Sequence, residues 1–267
     1  MRYKIFIEKY IVLKRGVIIN INENKNKPDK ADISLDIMME KLKELGSESI
    51  KNVLIKHGIQ EPFFGTKIGD LKKLVKYVKK NDELAKELYN TGNYDAMYLA
   101  GLSINPKSMS KDELKGWLDK AYCTSIATSI VSNIAAESDF ALELAREWIQ
   151  QDNEIAQCCG WSVISNYISI TEDELIDTEE IKELLNRIEA NIHSSKNMVR
   201  YSMNSFVISV GTYIKELNER ALEVAKNIGR VQVELATKGC KVPVAEDYIE
   251  KIISMNRVGK KRKTCIC

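Results

Sequence analysis

The 267-residue chain is 44% hydrophobic and 29% charged, enough to bury a core beneath a soluble surface. Four prolines, thirteen glycines and no charge-free apolar stretch of membrane length exclude collagen-like, low-complexity and membrane-spanning chains. The net charge of +2 is partitioned: residues 1–30 and 257–267 each carry +5, which leaves an acidic body of −8 over 31–256.

Residues 3–13 read as strand-like, and 20–30 are rich in Asn and Lys and read as loop. Residues 1–33 are therefore set apart as a leader, with Met38 or Met39 as a natural start for the body. Helices then follow one another. Residues 35–45 are closed by Gly46, and 47–57 by Gly58. After the turn at 61–65, Ile68, Leu71, Leu74, Val75 and Val78 form an apolar stripe with lysines opposite. Helices are expected at 82–90 and 93–103, and Ser110 with Glu113 is a capping box that opens a helix through Lys120. Further helices are expected at 123–136, 139–150, 153–168, 172–193, 197–213 and 216–228, with a break at 239–243 and a last helix over 245–255. The helical domain is thus 34–256, followed by a basic tail, 257–267. No series of strands alternates with these helices, which excludes a parallel sheet and a Rossmann nucleotide site.

One pattern recurs. Leu84-Ala85-Lys86-Glu87-Leu88 with Asn93 and Ala96 lines up with Leu144-Ala145-Arg146-Glu147-Trp148 with Asn153 and Ala156, and Val224-Ala225-Lys226-Asn227 echoes it. Each copy is a helix, a short break and a second helix. Such pairs cannot each bury an apolar face alone, so they stack into a curved solenoid. Its hollow side suits a long, rod-like partner better than a small molecule.

The six cysteines lack a regular disulfide spacing, and Cys158-Cys159 fall within a helix, as free thiols of a reducing cytoplasm would. With no C-x-x-C and only His57 and His193, neither a metal nor another cofactor is expected. The ending Cys-Ile-Cys does not match the four-residue prenylation box. A cytoplasmic monomer is expected.

The segment Phe63-Phe64-Gly65-Thr66-Lys67-Ile68-Gly69-Asp70-Leu71-Lys72-Lys73-Leu74 resembles the DNA alkylation repair family. Leu88-Tyr89, Gly92 and Tyr94-Asp95-Ala96-Met97-Tyr98-Leu99 look like that family's next helix pair. The ending, from Cys240-Lys241-Val242-Pro243 to Val258-Gly259-Lys260-Lys261-Arg262-Lys263, is similar to a subgroup with a basic C-terminus. The resemblance spans about 38–267 and implies an all-α, HEAT-like α–α superhelix that acts on double-stranded DNA. Active members cleave the bond between the sugar and an N3- or N7-alkylated purine. They place tryptophans against the backbone, a carboxylate beside the cationic sugar and an arginine on phosphate.

Carried over residue by residue, these roles are incompletely filled. Trp117 matches a tryptophan position, the expected aspartate falls on Tyr122, and Asp119 lies nearby on a different face. The helix at 153–168 has Ile155-Ala156-Gln157-Cys158 where the arginine is expected, and no Trp occurs within 200–206. An uncharged tyrosine cannot replace a carboxylate beside a cation. The catalytic candidates are accordingly Trp117, Tyr122 and Asp119. The DNA-contacting candidates are Trp161, Arg200, Asn204 and the tail cations Lys260, Lys261, Arg262 and Lys263. Arg200 and Asn204, at i and i+4, either line the hollow face or bond neighbouring repeats. The leading expectation is a DNA-associated member without the usual excision residues. The rivals are an active glycosylase with a carboxylate such as Asp119 or Glu137, and a protein-binding scaffold, which the acidic body favours.

Overall fold

The computed structural model describes residues 33–237 and 239–266; the leader residues 1–32, with their strand-like reading, lie outside the described residues. The elements are α1 (Leu35–Leu45), α2 (Glu48–Lys56), α3 (Ile68–Val78), α4 (Asp82–Asn90), α5 (Tyr94–Ser103), α6 (Lys111–Lys120), α7 (Thr124–Ile126), α8 (Ser132–Glu137), α9 (Ala141–Trp148), α10 (Glu154–Ile170), α11 (Thr178–Asn191), α12 (Asn197–Tyr213), α13 (Asn218–Ile228) and α14 (Ala245–Ser254). A π-helical stretch, Ala127–Val131, joins α7 to α8. Among the described residues the β-type pairing is an isolated bridge between Gly46 and Thr66. The helix assignments from sequence hold, with ends shifted by a few residues, and the all-α superhelix is the observed fold.

Local chemistry explains where helices begin. Asn81, Asn93 and Asn153 turn their side chains onto the first free N–H groups of α4, α5 and α10. Ser110 and Glu113 form the expected capping box at α6. The sequence repeat becomes intelligible here. Leu84, Ala85 and Leu88 are buried, as are Leu144, Ala145 and Trp148, while Asn93 and Asn153 open the following helix in both copies.

The helices form two layers. The inner layer runs α5, α7–α8, α10, α12 and α14, with direct backbone approach between neighbours. Glycines permit that approach. A Cβ on Gly101 would lie 2.3 Å from Ile130 and one on Gly211 2.7 Å from Ile249, while one on Gly160 would lie 2.7 Å from Ile149 at the end of α9 in the outer layer. The outer layer, α4, α6, α9, α11 and α13, is joined by long ion pairs: Lys86–Glu113, Lys115–Glu147, Arg146–Glu180 and Arg220–Glu189 among them. At the N-terminal end, the buried Asp95 holds the turn after α2: its oxygens accept from the N–H groups of Phe64 (2.6 Å), Gly65 (3.0 Å) and Thr66 (2.8 Å).

The basic tail is a strap. The Gly259 N–H donates to Thr212 O at the end of α12, and the Arg262 N–H donates to Ser169 O at the end of α10. Lys261 Nζ donates to Ile168 O (2.9 Å) and pairs with Asp173 (2.7 Å). Further on, the Thr264 hydroxyl and the Cys265 and Ile266 N–H groups converge on Glu137 at the end of α8. These are the carbonyl-rich, negative ends of the inner helices, which favour cations.

Candidate nucleic-acid interface

At the opposite edge, the N-terminal halves of the inner helices floor a groove of about 920 Å³. Tyr94, Ser125, Thr128, Ser162, Tyr201 and Ser205 face it from successive inner helices. His57, after α2, borders one side, and Leu235 and Cys240, between α13 and α14, border the other. The hydroxyls are set in place by their own backbones. Thr128 donates to Thr124 O (2.9 Å), Ser205 to Tyr201 O (3.0 Å), and the Tyr94 and Ser125 hydroxyls lie 3.2 Å apart. The π-helical turn at Ala127–Val131 widens the α7–α8 helix and places Thr128 and Ser129 on the groove; the Cys159 thiol donates to the Ala127 carbonyl behind it.

Tyr122 lines the groove at 37% exposure. Burial raises its phenol pKa, with smaller contributions from Cys123, Tyr94 and Asp95, so it is a neutral hydroxyl at physiological pH. Burial likewise pushes Tyr94 up to about 12. The lining carboxylates are Glu154 and Glu234. Glu154 Oε1 accepts the Met198 N–H at 2.7 Å and so caps α12. Glu234 is fastened through its backbone, its N–H donating to Asn197 Oδ1 (2.8 Å) and its carbonyl accepting from Asn197 Nδ2 (2.8 Å). Among the described residues that line the groove there is no lysine or arginine. Its donors are neutral hydroxyls together with the N-termini of the inner helices, whose dipoles favour anions.

Of the sequence candidates, the groove gathers Tyr122, while Arg200 and Asn204 are absent from its lining although their helix contributes Tyr201 and Ser205. Trp117 does not reach it. Its ring lies in the core, stacked on Tyr89 with centroids 3.8 Å apart, and its carbonyl accepts the Tyr89 hydroxyl at 2.6 Å. Asp119 is exposed on α6, outside the groove lining. Trp161 is fully buried, tilted against Phe206 with Arg187 over its ring. The two readings of the 197–206 helix divide between its residues. Tyr201 and Ser205 face the groove, whereas Asn204 is buried and donates to Pro243 O (2.9 Å), and Arg200 donates to Asn197 Oδ1 (3.2 Å). Glu137 serves the tail at the other edge of the inner layer. Lys261 and Arg262 are engaged on α10, and Lys260 and Lys263 are exposed. Of the other lining residues, Tyr94 was read only as part of the family-like helix pair, and Ser125, Thr128, Ser129 and Ser162 only as helix. Their signal was a run of hydroxyl residues at three- and four-residue spacing on otherwise apolar helices, which marks a polar stripe facing inward.

The thiols are free as expected at Cys123, Cys158, Cys159 and Cys240. Burial raises the pKa of Cys158 to about 12 and that of Cys159 well above the ordinary range, so both are inert. No group of ligating side chains suited to a metal occurs among the described residues, and none of their helices is long and apolar enough to cross a membrane.

Comparison with known proteins gives one direction. A family model described as DNA alkylation repair enzyme matches residues 38–238. An uncharacterised protein of Listeria innocua is 35% identical over 231 residues, which covers 85% of this chain and 99% of that one. A second, from Listeria monocytogenes, is 34% identical and covers 82% and 97%. A solved structure, 34% identical with a TM-score of 0.82, covers 88% of this chain and all of its own. It is described as a new family related to the HEAT-like repeat DNA glycosylases with affinity for branched DNA structures.

Proposed function

Since the chain belongs to the DNA alkylation repair family, we propose that it binds branched DNA in the groove of its inner layer and does not excise bases. The observation that carries this reading is Tyr122. At the position where the family resemblance calls for a carboxylate, the groove offers a phenol, which is neutral at physiological pH. Breaking the bond to an alkylated purine develops positive charge on the sugar, which a fixed negative charge stabilises and a neutral hydroxyl does not. Glu154, a lining carboxylate, is occupied as the cap of α12.

DNA binding does not require a basic floor. Half to two-thirds of protein–DNA hydrogen bonds go to phosphate and sugar, many from hydroxyls, backbone N–H groups and helix N-termini. The groove supplies these groups from several adjacent repeats. The related structure with affinity for branched DNA, superposable over nearly the whole body, supports DNA as the partner.

One observation favours a second reading, a protein-binding scaffold: the charged side chains lining the groove are the carboxylates Glu154 and Glu234. The deciding experiment measures fluorescence anisotropy with a four-way junction and a linear duplex, and incubates the protein with duplex containing N7-methylguanine. Tighter binding of the junction, weakened in Tyr201→Ala and Tyr122→Ala, with no free base released, is the expected result. Release of N7-methylguanine that disappears in Tyr122→Phe would show an active glycosylase. Absence of binding to either DNA would leave the scaffold.

A further inference from the structure

The outer cations of the solenoid mostly hold carboxylates of the next repeat, from Lys86–Glu113 to Arg220–Glu189. The densest cluster of exceptions is on α3 and the turn after it. Residues 67–80 contain six lysines and one acid, Asp70, which pairs with Lys73 at 2.7 Å. Lys72, Lys79 and Lys80 are exposed, make no ion pair among the described residues, and line a cleft of about 730 Å³ at the C-terminal ends of α3 and α5.

A second feature of the cleft points to an anion. Ser103, 5% exposed, contributes a hydroxyl with no hydrogen-bond partner. Elsewhere in the inner helices such hydroxyls donate to the carbonyl four residues back, as Thr128, Ser132, Ser165 and Ser205 do. A buried hydroxyl left unbonded is costly unless an acceptor arrives. The two carboxylates that border the cleft are engaged: Asp82 accepts the Asn105 N–H, and Glu137 gathers the tail.

We infer that this cleft is a second phosphate-backbone site, taking one arm of a branched duplex whose other arm lies in the groove; it rests on the DNA reading above. The two sites occupy opposite edges of the inner layer. Along α5 they are separated from Tyr94 to Ser103, about 13 Å at the rise of an α-helix. A duplex held against the N-terminal edge presents its phosphates there, and Lys72, Lys79 and Lys80 at the other edge meet a different arm. The lysines also supply an ionic contribution to binding that the groove lining lacks.

The test is the salt dependence of junction binding by fluorescence anisotropy, with a linear duplex of equal length alongside. In K72Q/K79Q/K80Q the slope of log affinity against log salt for the junction is expected to fall by about two to three, with the linear duplex unaffected. Lys226→Gln, on α13, is the control and leaves both unchanged. Ser103→Ala, which removes no bonded hydroxyl, is expected to weaken junction binding about threefold to tenfold with the melting temperature retained. An unchanged junction slope in the triple variant, or an equal loss on the linear duplex, overturns the second site while the groove reading stands. A wild-type protein that binds neither DNA overturns both.

Discussion

The inner and outer helices solve one stacking problem in opposite ways. Inner helices meet through glycine, hydroxyl and aromatic side chains: Gly101 against Ile130, Gly211 against Ile249, Trp161 against Phe206. Outer helices meet through long charged chains such as Lys115–Glu147 and Arg146–Glu180. Short side chains let backbones close up and long ones hold them apart, so the stack curves toward the inner layer. The same division assigns the work. Tight packing fixes the positions of inner hydroxyls and helix N-termini, while the outer ion pairs stay in solvent, where each is worth little. The groove is therefore on the layer that carries the stability.

The largest effect that would test this division is Trp161→Ala. The ring is fully buried where α10 packs on α12, and its removal leaves a cavity costing about 3–5 kcal/mol. Urea unfolding followed by circular dichroism would measure it, and a loss below 1 kcal/mol would contradict the importance of the inner layer. Gly160→Ala comes next. The new methyl would stand 2.7 Å from the Ile149 side chain and 2.8 Å from its backbone nitrogen, so α9 and α10 must separate. The expected cost is about 1–3 kcal/mol, read in the same way.

These positions also show what a reader of the chain can and cannot see. The Asn93 and Asn153 caps, the Ser110–Glu113 box and the paired-helix repeat are local chemistry, visible in a few consecutive residues. The burial of Trp117 is not visible in the chain because its partner, Tyr89, lies 28 residues away and no periodicity announces the stack. The anchoring of the basic tail is hidden for a related reason. Its composition matches a phosphate-binding arm, but Lys261 and Arg262 meet carbonyls at the end of α10, more than ninety residues earlier. At the groove, the π-helical turn inserts an offset that a regular 3.6-residue wheel cannot anticipate, so Thr128 and Ser129 were read only as part of a helix. Tyr122 was singled out because it was compared position by position with a chemical requirement.

Acid exposes the outer layer. Hydrogen bonding to Lys86 holds Glu113 below the ordinary carboxylate range, and Asn227 and then Arg220 do the same for Glu189. A folded-state pKa below the unfolded value means that the native state releases its proton more readily. The resulting stability is fully present above about 4.3, the unfolded glutamate value, and is lost as pH falls through the lowered folded values. The urea midpoint should stay level from pH 7 to 5 and then decline below pH 4. In Lys86→Met/Arg220→Met that decline should be shallower, and an unchanged decline would place the acid sensitivity elsewhere.

The smallest effect is the most discriminating. Arg146 donates from Nε and Nη2 to the two oxygens of Glu180, both at 2.6 Å, the geometry in which an exposed pair has most to contribute. The Arg146 side chain is nonetheless 54% exposed, so water and salt screen the attraction. A double-mutant cycle with Arg146→Ala and Glu180→Ala should give a coupling of about 0.2–1 kcal/mol in low salt, shrinking in 0.5 M salt. A coupling above 2 kcal/mol that survives salt would mean the outer helices lock the curvature themselves. The groove would then owe its shape to the convex side, and substitutions along the outer layer would alter junction binding as strongly as those at Tyr122 or Tyr201.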